Sequence, residues 1–220
     1  PIAEARIAFG DWTLFVGPQA AGKSIALQWL KLALDRAPIV EEMRRHGLDW
    51  RGDPAGFLAS YFGEGMDSIW RGDSRAAWNR RSLAPAALLK GANGHDGAGE
   101  SAFAIPAQRV LTLRDGWPRP FSDYSPGDPY WVRAFSERLR RIAEGEFSSS
   151  GGYLSRRGRM RPEIVRQLRE SPFAGLDVIV DRRQGRRRLA LEQQSGEPLP
   201  WMVWSAGQRE IVPLLLALAW

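Results

Sequence analysis

Gly17-Pro18-Gln19-Ala20-Ala21-Gly22-Lys23-Ser24 is the stretch on which the reading of this chain turns. Gly17, Gly22, Lys23 and Ser24 meet the pattern G-x-x-x-x-G-K-[ST] without a mismatch. Each position has a physical task. The glycines let the backbone turn tightly, so that several N–H groups face one point where phosphate oxygens can sit. A following helix adds the positive end of its dipole. Lys23 reaches toward the terminal phosphates as a point charge, and Ser24 offers a hydroxyl to Mg²⁺. Ile25, one residue on, completes the expected binding segment. A glycine turn before a helix would read the same way on those four positions alone.

The flanks supply context. Residues 7–9 and 12–16 read as short strands joined by a Gly10-Asp11 turn. After the loop, Ile25, Leu27, Leu30, Leu32 and Leu34 recur with Trp29 at helical spacing, and Pro38 is expected to stop the helix near Arg36. A strand, a glycine-rich loop and an amphipathic helix are the setting that the loop chemistry requires.

A second segment stands far downstream: Trp204-Ser205-Ala206-Gly207-Gln208-Arg209-Glu210. Ser205 is a good helix N-cap. The first N–H groups of a helix have no partner of their own and attract anions. An ordinary serine-capped helix remains the alternative at this point.

Together the two segments resemble the ATP-binding cassette ATPases, whose second motif reads Leu-Ser-Gly-Gly-Gln. Here Trp204 replaces the leucine and Ala206 the first glycine, while Ser205, Gly207 and Gln208 are kept. The form Ser-Ala-Gly-Gln-Arg-Glu after a long insertion is more similar to the non-transporter branch. That branch contains RecF-like, chromosome-maintenance-like and OLD-type AAA-family ATPases, many of which act on DNA or in phage defence. The resemblance implies an α/β fold, a P-loop nucleoside triphosphate hydrolase of ABC-ATPase type with a helical insertion. It implies ATP and Mg²⁺ as cofactors and a head-to-tail homodimer or ABC-type partner subunit. Gly17 to Ile25 would hold ATP. Ser205, Ala206, Gly207 and Gln208 would cap the γ-phosphate of nucleotide held by the partner.

Lys23 and Gln108 are the catalytic candidates, with Ser24 and Gln108 at the metal. Gln108 follows an expected strand at residues 102–105, where the family has a glutamine that senses Mg²⁺ and water, and Arg109 beside it would touch phosphate or the partner. A loop glutamine and a surface arginine explain these two residues equally well. The family also places an acidic strand end, the Walker B motif, beyond the second motif. The chain stops 12 residues after Gln208, so a chain cut short before that motif is expected, one that binds nucleotide without hydrolysing it efficiently. A transporter's nucleotide-binding subunit is the runner-up, weakened by the long insertion and the lack of a clear glutamine-loop coupling segment. A P-loop kinase or GTPase is third; the Asn-Lys-x-Asp motif of GTPases does not occur.

Composition bounds these readings. The chain has 220 residues, 44% apolar, enough for one domain over residues 1–220 with insertion or helical regions at about 40–100 and 117–172. Cysteine is absent, which excludes disulfides and points to a cytoplasmic address. No apolar run approaches the roughly 20 residues of a membrane span. Lysine occurs only at Lys23, Lys31 and Lys90, and arginine carries the remaining positive charge.

Within the second insertion, helices are expected at residues 131–144 and 162–170, and after it a hairpin from residues 176–180 into 188–191. Residues 132–190 hold 15 arginines against 7 acids, densest at Arg182, Arg183, Arg186, Arg187 and Arg188. This basic hairpin is the candidate DNA contact. A solvated edge strand protected by its charge is the competing reading. The triplets Arg51-Gly52-Asp53 and Arg71-Gly72-Asp73 are read as chance.

Overall fold

The computed structural model describes residues 4–50, 52–90, 100–146, 152, 154, 161–193 and 195–218. The chain divides into two compact units, residues 1–104 and 105–220.

The first unit is built on helix α1 (Lys23–Arg45), which starts at the end of the glycine-rich loop and runs well past the expected stop. Pro38 has no N–H to donate one turn back, and its ring crowds the carbonyl of Leu34. The helix answers with a kink at Asp35 (φ −121°, ψ 31°) rather than an end. Beyond it Ile39, Val40 and Met43 are completely buried, and that burial keeps the second half of the helix on the core. Helix α2 (Pro54–Phe62) packs Phe57, Leu58, Tyr61 and Phe62 into the same core. Trp50 meets Phe57 edge-on at 5.3 Å, and Trp29 lies 5.1 Å from Phe62 and 5.3 Å from Trp70. Asp53 caps α2, its carboxylate accepting the Gly56 N–H at 2.9 Å. The aspartate of the first Arg-Gly-Asp triplet therefore has a local structural use. A two-residue ladder, β1 (Ala77–Trp78) with β2 (Arg81–Ser82), and helix α3 (Pro85–Lys90) complete the unit. The glycine-rich stretch 91–99 lies outside the described residues.

The strands expected at residues 7–9, 12–16 and 102–105 do not form a ladder. The Gly10-Asp11 turn does form, with the Gly10 N–H donated to Thr13 Oγ1 and the Phe9 and Phe15 rings 6.1 Å apart. A strand exists only through a neighbour that accepts its hydrogen bonds, and residues 4–16 have none among the described residues of this unit. Trp12, Leu14 and Val16 stand 97%, 86% and 84% exposed, so the alternation seen in the sequence is present without a face to bury it.

The second unit is organised around helix α4 (Tyr130–Glu146), with Tyr130, Phe135 and Leu139 buried. Before it, β3 (Leu113–Arg114) and β4 (Trp117–Pro118) form a hairpin that the sequence reading did not single out. Asp115 and Gly116 both take positive φ (52° and 79°), the requirement of a two-residue turn that Asp-Gly meets well. Helix α5 (Pro162–Glu170) starts on its proline as expected. A three-stranded antiparallel sheet follows, β5 (Asp177–Asp181), β6 (Arg188–Glu192) and β7 (Pro198–Pro200), with β6 in the centre. Helix α6 (Ala206–Leu218) buries Val212, Leu215 and Leu216. All strand pairs among the described residues are antiparallel and lie in three separate small sheets. No described helix is long and apolar enough to cross a membrane.

Candidate functional site

The loop from Gly17 to Ser24 runs directly into α1, and its backbone is set by left-handed residues. Ala20 has φ 62°, and Gly22, the N-cap of α1, has φ 87° with no side-chain cap. Such angles are uncommon for a residue with a Cβ, so Ala20 carries a strain that a glycine there would avoid. Within the loop one weak bond forms, Ala21 N–H to the Pro18 carbonyl at 3.4 Å, and Ala26 N–H reaches the Gly22 carbonyl at 2.9 Å. The N–H groups of Gln19, Ala20, Gly22, Lys23, Ser24 and Ile25 meet no acceptor among the described residues. Lys23 turns back on the loop, Nζ donating to the carbonyls of Gly17 (2.8 Å) and Pro18 (2.6 Å). Unshared backbone donors, one ammonium and a helix dipole complement an anion with several oxygens.

Ser24 is exposed on the first turn of α1, and its hydroxyl makes no hydrogen bond among the described residues. An oxygen ligand of this kind fits Mg²⁺, which keeps most of its shell for water and phosphate. Among the described residues no group of three or more His, Cys, Asp or Glu side chains could hold a metal ion.

Behind the loop, on the same helix, lies a buried polar cluster that the sequence reading missed. Lys31 and Asp35 are 4% and 2% exposed. Lys31 Nζ donates to Asp35 Oδ2 at 2.7 Å and to the Ala102 carbonyl at 2.6 Å, and pairs with Glu100 at 3.0 Å. All three ammonium donors are thereby used. Asp35 also accepts from the Ser101 N–H (2.7 Å), the Ser101 hydroxyl (2.5 Å) and the Ala102 N–H (2.9 Å). Burial pushes the Asp35 carboxyl up, but these bonds together outweigh it and hold the group below its ordinary value. The Tyr61 phenol, buried nearby with Glu100 and Asp35 as negative neighbours, is pushed well above its ordinary value. The signal available in the sequence was the i,i+4 Lys–Asp spacing on a helix.

The second unit holds the other predicted residues. Ser205 and Gln208 form a reciprocal capping box at the start of α6. Gln208 N–H donates to Ser205 Oγ at 3.2 Å, and Ser205 N–H donates to Gln208 Oε1 at 2.9 Å. The Gln208 amide also donates to the Pro172 carbonyl at 3.0 Å, so both its oxygen and its nitrogen are engaged within the unit. What remains toward solvent is the Ser205 hydroxyl hydrogen and the N–H groups of Ala206 and Gly207, all on exposed residues. Gln108 is exposed and precedes a 3₁₀ turn without capping it by its side chain. Arg109 is held against α6, Nε donating to the Glu210 carbonyl at 3.0 Å and Nη2 lying 3.4 Å from its carboxylate. Arg109 thus meets the segment that follows the second motif. Arg182, Arg183, Arg186 and Arg187 are exposed and Arg188 half-buried around the β5–β6 turn.

A scan against protein-family models found no match, and searches of curated proteins and of solved structures found none either.

Proposed function

We propose that this chain binds ATP with Mg²⁺ through residues 17–25, as a P-loop ATPase of the ABC type from the non-transporter branch. The observation that supports it is the loop itself. It offers six backbone N–H groups with no internal acceptor among the described residues, a lysine engaged only with the loop's own carbonyls, and a free Ser24 hydroxyl. On this reading Lys23 leaves those carbonyls to meet the terminal phosphates, and Ser24 takes a place on the ion. The Ser205 hydroxyl and the Ala206 and Gly207 N–H groups cap nucleotide held by a second subunit, arranged head to tail. Bound MgATP would supply a phosphoanhydride whose hydrolysis drives work on DNA or on an effector. That step also needs an acidic group to orient water.

Calorimetric titration with MgATP is the test. A charge-assisted bond from Lys23 is worth about 1.5–3 kcal/mol, so Lys23→Ala is expected to weaken binding roughly 10- to 100-fold. A folded wild-type sample that gives no heat, or a Lys23→Ala variant that binds as well, overturns the proposal.

A further inference from the structure

We infer that residues 12–16 are an open strand edge at which two copies of this chain pair antiparallel, into a dimer that needs no nucleotide. Trp12, Leu14 and Val16 stand 97%, 86% and 84% exposed. Phe15 turns the other way, its ring 6.1 Å from Phe9, which in turn lies 5.7 Å from Trp78. The segment is thus anchored on one side and open on the other. Its backbone is open too: no N–H or carbonyl of residues 12–16 meets a hydrogen-bond partner among the described residues. One tryptophan alone offers about 150–250 Å² to a partner, and a contiguous apolar patch of a few hundred Å² marks an interaction site. Natural edges are guarded against pairing by charge, proline or a bulge. Trp12-Thr13-Leu14-Phe15-Val16 has no charged residue, proline or glycine, so nothing within it opposes a second strand.

The occupant follows from what the edge lacks. A docked helix has its own backbone satisfied and would bury the N–H and carbonyl groups of residues 12–16 without partners. A lipid surface fails for the same reason. An added strand satisfies them. The segment is itself such a strand and is complementary to its own copy. In an antiparallel pair with Leu14 on the two-fold axis, Trp12 faces the partner's Val16 and the two Leu14 side chains face each other. Opposite residues share one face of a sheet, so the apolar side chains of both copies gather on one side, with aromatic–β-branched pairs flanking a leucine pair. Charge agrees with this register. Asp11 falls opposite position 17 of the partner, and Gly17 holds the Lys23 ammonium on its carbonyl at 2.8 Å. The two Asp11 carboxylates stay about 20 Å apart, six residues along the strands, where salt screens their repulsion. The contact is isologous and closes at two copies. It uses the first unit of each copy, is separate from the head-to-tail contact of residues 17–25 with 205–208, and does not rest on nucleotide binding.

The experiment is sedimentation velocity on the chain without nucleotide, over about 1–100 μM. A two-stranded contact is modest by itself, so the wild-type chain should pass from monomer to dimer within that range. Leu14→Lys sets two ammonium groups face to face on the axis and should raise the midpoint about 10-fold or more. Leu14→Asp should do the same. An equimolar mixture of the two variants should dimerise near the wild-type midpoint, because opposite charges then meet, and that rescue separates loss of pairing from loss of fold. Met202→Lys changes a residue 70% exposed in the second unit and should leave the midpoint where it was. The inference is overturned if the wild-type chain stays monomeric without nucleotide or grows past a dimer. It is equally overturned if Leu14→Lys associates like the wild type, if the mixture remains monomeric, or if Met202→Lys dissociates the dimer.

Discussion

Replacing Asp35 by alanine tests the account of the first unit most directly. The substitution removes the acceptor of four hydrogen bonds, leaving the Ser101 and Ala102 N–H groups without partners and Lys31 with Glu100 as its remaining anion. Each orphaned backbone donor costs about 1–3 kcal/mol, and breaking a buried ion pair about 3–5 kcal/mol in total. A loss of about 4 kcal/mol is therefore expected, a large share of the 5–15 kcal/mol typical of a domain. With a urea slope of about 2 kcal/mol per molar, the midpoint should fall by about 2 M. Lys31→Met alone should be severe for the converse reason. The double variant with Asp35→Leu should be milder than the sum of the two single changes by more than about 1 kcal/mol, because neither charge is then stranded. The pH profile gives a second readout. A carboxyl held below its unfolded value contributes stability that is full above about pH 4 and fades as pH falls through its folded value. The acid limb should flatten in Asp35→Asn. An Asp35→Ala loss below about 1 kcal/mol, or strict additivity in the cycle, would refute the view that this cluster ties residues 100–102 to α1.

Three further outcomes follow from local geometry. Ala20→Gly should preserve nucleotide uptake, whereas Ala20→Val should abolish it by calorimetry, because a β-branched residue is a poor occupant of φ 62°. Ser205→Ala should cost about 1 kcal/mol by thermal unfolding through loss of the N-cap, and combining it with Gln208→Ala should add less than the separate losses, since the two share one capping box. Gly116→Ala should destabilise the second unit by more than about 2 kcal/mol in urea. Its new Cβ would sit 2.8 Å from Trp201 Cβ and 3.3 Å from the Leu189 carbonyl, at a φ of 79°.

Much of the local structure was readable from residue order alone. Ser205 with Gln208 three residues later specifies a helix start, and Pro162 specifies another, because caps and first-turn prolines act within a few residues of themselves. Arg188 to Leu191 reads as a strand after a Gln-Gly turn for the same reason, and the strand runs one residue further, to Glu192. The glycine-rich loop was equally plain, since its left-handed turns are demands on single residues. Asp115-Gly116 is a turn of the same local kind, and the sequence reading did not single it out.

What only tertiary structure decided depends on partners distant in sequence. Residues 12–16 alternate like a strand, yet pairing requires a second backbone, and none among the described residues of their unit pairs with them. Helix α1 outlasts Pro38 because burial of Ile39, Val40 and Met43 outweighs a local helix breaker. Lys31 and Asp35 become a buried clasp only because residues 100–102, more than 60 positions away, arrive with the right donors and acceptors. Residue order records what a chain segment can do by itself; the fold decides which segments meet.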